Sequence, residues 1–222
     1  MDFQPKEIWM LRKDKDGWIT SLKIHKEHRP AIEKAPIGTV TAIVLHRTGS
    51  NNAQSVLNSW ESKQEGTHFL ISEAGKIYQT ASLNNQCWHV GKLYSKCRAV
   101  SSCEKEDAEA IEGILHKKNT NWGKKFKLVT RHELKKDYPA RFPHNIDSIG
   151  IEIVGLISKT SEIYETPNNL QLNGLFWLVD ELVSTYGLSI KDLYAHGQIA
   201  HKDTKKSEGT SSLKAYAIHR GK

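Results

Sequence analysis

Apolar positions along the chain fall into a few short, dense runs, and two of them stop at a histidine. Thr-Ala-Ile-Val-Leu leads into His46, and Asp-Leu-Tyr-Ala leads into His196. Runs this short and this continuously apolar predict strands buried on both faces, so the first strong strand covers Thr39 to Leu45 and the last one carries His196 at its end. Between them, Asn52 to Glu61 puts Val56 and Trp60 on one helical face. Thr67 to Gln79 holds two β-rich runs around Glu-Ala-Gly75, a hairpin in which glycine takes the positive-φ turn position. Ser148 to Gly155 predicts a central strand, with Ile149, Ile151 and Ile153 on one face and Gly150, Glu152 and Val154 on the other. From Leu170 to Tyr186, apolar residues recur at three and four and stop at Gly187, which predicts a long amphipathic helix. A short helix near Leu213 closes the chain.

Two stretches lack this patterning. Residues 1–36 are expected to form an N-terminal extension, with Trp9 and Trp18 docking on the domain and His25 to Pro30 as a basic linker. The domain proper then runs from 37 to 222. Within it, residues 92–146 are richer in charge; they contain one expected helix, Asp107 to Lys118, and a loop-like Tyr138 to Pro143, and are expected as an insertion over the rim.

At 222 residues with a hydrophobic fraction of 38% and six tryptophans, the chain suits one sizeable α/β domain. No stretch approaches the roughly 18 consecutive apolar residues of a membrane span. The N-terminus has neither a basic n-region nor a long apolar h-region, so the expectation is synthesis in the cytoplasm without a signal peptide. A net charge of +7 favours an anionic partner. Nucleic acid is set aside, because the lysines scatter as local pairs such as Lys117-Lys118 and Lys135-Lys136 without a recognised binding motif. An acidic cell-wall polymer or anionic membrane surface remains. Cys87, Cys97 and Cys103 fit no metal or redox spacing; they are expected as free thiols, with one bridge open in an oxidising compartment.

The candidate chemistry begins with the two strand-end histidines. A single histidine in such a place is most often a satisfied core or loop residue. Two at matching ends, with Lys206-Ser-Glu208 following the second, offer three ligands to one zinc and leave the fourth position to water. Glu152 has two open readings, a structural ion pair with a lysine or a general base beside the metal-activated water. His68 and His89 read either as substrate contacts or as packing residues, and the remaining histidines, His144 and His201 among them, as mostly surface.

These pieces, in this order, resemble the zinc-dependent N-acetylmuramoyl-L-alanine amidases of the amidase-2 type, which include peptidoglycan recognition proteins. The matching segments are Val44-Leu-His46-Arg-Thr-Gly, Thr67-His68-Phe-Leu-Ile with Gly75-Lys-Ile-Tyr-Gln, Trp88-His89-Val-Gly91, Ser148-Ile-Gly-Ile-Glu152-Ile-Val-Gly, the long helix and Ala195-His196-Gly. They cover roughly residues 39–210, less the insertion. The resemblance implies an α/β fold with a central mixed β-sheet flanked by helices. It implies Zn2+ held by His46, His196 and a third residue in the loop after His196. Lys206-Ser-Glu208-Gly matches the family's lysine-spacer-ligand turn without its proline, making Glu208 the expected ligand and Asp203 and His201 its rivals. Glu152 falls where the family's catalytic glutamate sits, and Lys206 is expected to stabilise the oxyanion. Thr67, His68, Trp88 and His89 are expected to contact substrate. Thr67 stands where relatives often have tyrosine, which shifts weight to Glu152.

The function implied is hydrolysis of the amide between N-acetylmuramic acid and the L-alanine of the stem peptide, with peptidoglycan or muropeptides as the partner. The alternative is a binding module that holds muropeptide without zinc. Three settings fit the implied activity: a holin-released phage-type endolysin, an effector injected into a neighbour's periplasm and countered by a cognate immunity protein, or a cytoplasmic recycling enzyme.

Overall fold

The computed structural model describes residues 11–201 and 207–221. Among these residues eight strands carry the frame: β1 (Ile24–Lys26), β2 (Glu33–Pro36), β3 (Ala42–Arg47), β4 (Phe69–Ile71), β5 (Ile77–Gln79), β6 (Asn85–Cys87), β7 (Ser148–Ile153) and β8 (Leu193–Ala195). Six of them form one mixed sheet in the order β1-β5-β4-β7-β3-β8, and β2 pairs with β6 in a separate ribbon. The sheet is parallel except where β4 and β5 turn back on each other. That reversal is the expected hairpin, with Gly75 at φ +76°. Glycine is required there for a second reason, since a Cβ would fall 2.5 Å from the carbonyl oxygen of Leu170.

Among the described residues seven α-helices surround these strands: α1 (Ala53–Lys63), α2 (Lys96–Ala99), α3 (Lys105–Leu115), α4 (Trp122–Glu133), α5 (Asn169–Tyr186), α6 (His196–Ile199) and α7 (Thr210–His219). α1 starts where the Asn52 side chain accepts a hydrogen bond from the Ser55 amide at 2.8 Å. α5 opens with a reciprocal cap between Asn168 and Gln171 and stops at Gly187, φ +64°. Its Leu175, Leu178, Val179 and Leu182 are fully buried against Ile43, Leu45, Phe69 and the three isoleucines of β7, the largest core of the protein. The opposite sheet face packs Leu70 and Val154 against α1, and Val44 against Val90, Leu93 and Ile199. The central strands are therefore apolar on both faces, as their composition required, apart from the positions that form the site.

The stretch expected as an N-terminal extension is part of this packing. β1 supplies the edge of the main sheet, and Ile19 and Ile24 enter the main core. Trp18 lies edge-on to His28, 4.9 Å between ring centres; Trp9 is outside the described residues. The rim stretch is more helical than expected. Besides α3, which begins at Lys105 rather than Asp107, it contains α2 and α4, and Trp122, Phe126 and Val129 stand at helical spacing along α4. Cys97 and Cys103 form a disulfide there, so the free-thiol expectation holds only for buried Cys87. Asp107 of α3 accepts from His132 Nε2 and Lys136 Nζ at 2.5 Å each, tying α3 to the end of α4.

Candidate metal centre

β3 lies between β7 and β8, and this order builds the site. The register pairs Leu45 with Ala195 and His46 with Glu152. His46 and Glu152 therefore sit side by side on adjacent strands. His196 follows β8 directly, as the first residue of α6 rather than the last of the strand. The two imidazoles come to 4.3 Å between ring centres. Glu208 reaches them from the segment before α7. Gly209 at φ +80° folds so tightly under β3 that a Cβ would fall 2.1 Å from the Leu45 carbonyl oxygen, and the Gly197 amide donates to the Glu208 carbonyl at 3.0 Å.

Glu208 Oε1 lies 2.8 Å from His196 Nδ1 and 3.2 Å from His46 Nδ1. All three residues are buried, with 2–4% of their surfaces exposed. The hydrogen-bond network assigns their protons. His196 Nε2 donates to the Val90 carbonyl at 2.7 Å, which leaves Nδ1 of the neutral ring as a lone pair. His46 Nε2 meets His89 Nδ1 at 3.0 Å, and His89 Nε2 faces the carbonyl and hydroxyl oxygens of Ser148 at 3.4 Å. If each ring in this chain donates toward Ser148, His46 Nδ1 is also a lone pair. Three acceptors then converge on one buried point, an arrangement that repels unless a cation sits among them. Tetrahedral zinc with bonds of about 2.0–2.1 Å sets its ligand atoms roughly 3.3 Å apart, close to the spacing found. The donor set fits a metal ion.

Without a metal, the rings can instead turn N–H groups toward Glu208. Burial alone would raise its carboxyl, but His196 and His46 acting as donors and charges outweigh it and hold it well below the ordinary carboxylate range, so the carboxylate stays ionised. His89 is driven well below its usual value, first by burial and then by the neighbouring His46, His68 and His196, so it stays neutral in its relay position. Gly150 lies beneath this relay, where a Cβ would meet His89 Nδ1 and the Thr67 methyl at 2.9 Å.

The other expected site residues separate. Glu152 is half-buried and lines the same cleft as the three ligand candidates. Trp88, half exposed, forms part of the cleft wall with the Lys34 ammonium 4.9 Å above its ring. Thr67 also lines the cleft, but its hydroxyl donates to the Phe69 carbonyl at 2.8 Å. His68 does not serve as a substrate contact. It is completely buried, Nδ1 accepts from the Gly150 amide at 3.1 Å, and Nε2 donates to the Asn85 carbonyl at 2.9 Å. His201 is stacked on Phe126, ring centres 3.4 Å apart, and packed beside Tyr94 rather than joining the ligand group. His144 too is held in place, with Nε2 donating to the Gly91 carbonyl. Lys206 and Asp203 lie outside the described residues.

Among the cleft residues that were not anticipated, two lie close to the site's charges. Arg47, next to His46, is buried and lines the cleft. Tyr164 comes from an irregular segment after β7; burial, then the charges of Glu208 and Glu152, push its phenol upward. The only sequence signal for Arg47 was a cation at the end of an apolar strand, and Tyr164 had none.

The family model Amidase_2, described as N-acetylmuramoyl-L-alanine amidase, matches residues 36–210. No curated protein matches the sequence. Among solved structures, a selenomethionine derivative of AmpD is similar with a TM-score of 0.51 at 15% identity, over 93% of this chain and 99% of that one. The catalytic domain of XlyA gives 0.50 at 16% identity, over 88% and 99% of the two chains. The N-acetylmuramoyl-L-alanine amidase LysC from Clostridium intestinale URNW gives 0.45 at 16% identity, over 81% and 87%. For AmpD and XlyA the likeness is one of fold.

Proposed function

The chain belongs to the Amidase_2 family of N-acetylmuramoyl-L-alanine amidases, and from that premise we propose that it is a zinc-dependent peptidoglycan amidase. The bond cut joins the lactyl group of N-acetylmuramic acid to the L-alanine of the stem peptide. The observation that carries this reading is the convergence of two imidazole Nδ1 atoms on one buried oxygen of Glu208. It also weighs against a module that merely holds muropeptide, since such a module has no use for a third ligand.

In this reading His46, His196 and Glu208 hold the metal. When bound, zinc lowers the pKa of a water toward about 7 and polarises the scissile carbonyl. Glu152, across the strand pair from His46, takes the proton of the attacking water and delivers it to the leaving amine. His89 and Ser148 fix the orientation of His46 from behind, as outer partners of metal-binding histidines do. Trp88 and the wall around Thr67 receive the muropeptide, and Lys206, by the family resemblance, stabilises the oxyanion. The charge of +7 suits a wall bearing free carboxylates.

Mass spectrometry of purified sacculi and of soluble muropeptides, digested with and without chelator, tests the proposal. The expected product is free stem peptide, lost when the metal is removed. Intact lactyl amides after digestion, or cleavage that chelator leaves untouched, would overturn it. The same digest bears on setting, because an endolysin or injected effector should cut sacculi, whereas a recycling enzyme should prefer soluble fragments.

A further inference from the structure

The cleft wall beside the metal centre carries a cation that this hydrolysis does not use. Arg47 ends β3, one residue past His46, and lines the cleft with Thr48, Ser50 and Tyr164. It is 2% exposed, and its Nε and Nη1 are buried with no hydrogen-bond partner among the described residues. Glu165 and Glu152 are near enough to act on its charge. The guanidinium packs against Gly155, where a Cβ would fall 1.7 Å from Nη2. The fold therefore makes room for this group in one place and leaves Nε and Nη1 unanswered among the described residues. A guanidinium cannot discard its protons, so what is missing is an acceptor, and a carboxylate supplies both the acceptor oxygens and the opposite charge.

We propose that Arg47 anchors a free carboxylate of the substrate and makes the enzyme selective for acidic over amidated stem peptides. The inference rests on reading the cleft as a muropeptide site. On the sugar side of the scissile bond the lactyl carboxyl is consumed in the amide, so the free carboxylates lie on the peptide side. The nearest one beyond the L-alanine belongs to the second, γ-linked residue. A lysine at 47 would supply charge without the planar fork, and a glutamine would supply neither.

The test compares hydrolysis of two muramoyl tripeptides by the zinc-loaded enzyme. They are identical except that the second residue carries a free α-carboxylate in one and a carboxamide in the other. Wild type should favour the free acid by about ten- to hundredfold in kcat/KM, expressed mainly in KM. Arg47→Gln should bring the two substrates to near equality in kcat/KM, and Arg47→Lys should fall between. If Arg47→Gln fails to fold, the wild-type ratio and Arg47→Lys still decide. Equal kcat/KM for both peptides with wild type, or a preference that survives Arg47→Gln, would overturn the anchor and leave the amidase reading standing. Cleavage of neither peptide would overturn both.

Discussion

His68 gives the sharpest test of how this fold depends on protonation. Its ring is fully buried, its Nδ1 accepts from one backbone amide and its Nε2 donates to one carbonyl, so only the neutral form fits. Burial, opposed in part by the Asn85 hydrogen bond, takes its pKa down to about 4. An unfolded histidine titrates near 6.5. Between those values the unfolded chain holds one proton more than the native chain, so stability must fall as pH falls from about 6.5 to about 4. Over roughly 2.5 pH units at 1.36 kcal/mol each, this ring alone accounts for about 3 kcal/mol. Its contribution is full above pH 6.5 and gone below pH 4. The assay is urea unfolding from pH 7.5 to 4.5 in chelator, with wild type and His68→Gln side by side. His89 and His144 are also depressed by burial and act in the same direction, but both proteins share them. The variant should be less stable at pH 7.5, because two buried backbone groups lose their partner at roughly 1–3 kcal/mol each. Its stability should also depend less steeply on pH, by close to one proton. An unchanged slope would refute the neutral, backbone-committed ring.

Three further outcomes follow from the site. Glu152→Gln should fold and retain zinc while losing roughly 100-fold or more in rate; near-normal turnover, or a collapse of stability, would identify Glu152 as a structural ion-pair partner. Glu208→Ala should lose zinc in dialysis against a mild chelator, whereas His201→Ala and Asp203→Ala should keep it; zinc lost only from one of the latter two, read by elemental analysis, would reassign the third ligand. Gly209→Ala should lower the melting temperature and zinc content together, since its φ of +80° and the Leu45 carbonyl leave no room for a Cβ; a wild-type melting curve would show that the turn tolerates the change.

What could be read from the sequence was what repeats. β3, β7 and α5 have long apolar periods, and the hairpin has its turn glycine, so tertiary packing only had to agree with local preference. The histidines at two strand tips were visible because the runs before them are uniformly apolar. β1 was not visible: it is three residues long and only Ile24 is buried, too little for any alternation to register. α4 carries an apolar stripe, but glycine at its second position and a lysine-rich surface obscured it. His68 misled for a physical reason. It is followed by three fully buried residues of β4, so neither face of the strand distinguishes core from cleft, and only the backbone groups around the ring decide its role. Arg47 was passed over because a charge at the end of an apolar strand is ordinarily read as the strand reaching solvent.

The position of β1 bears on how the protein can be cut down. A fragment trimmed to the matched residues, 36–210, looks like a natural minimal domain, yet it would discard the strand that pairs with β5 along Ile24–Lys26. β5 would then present a row of unanswered amides and carbonyls beside freshly uncovered core, a template for edge-to-edge association. The same cut removes nearly all of α7, and with it Tyr216, which is buried in the main core and donates to Asp180 at 2.6 Å. Such a fragment would keep every proposed ligand and still be expected to aggregate, so poor solubility on trimming would report a lost seam rather than a faulty site.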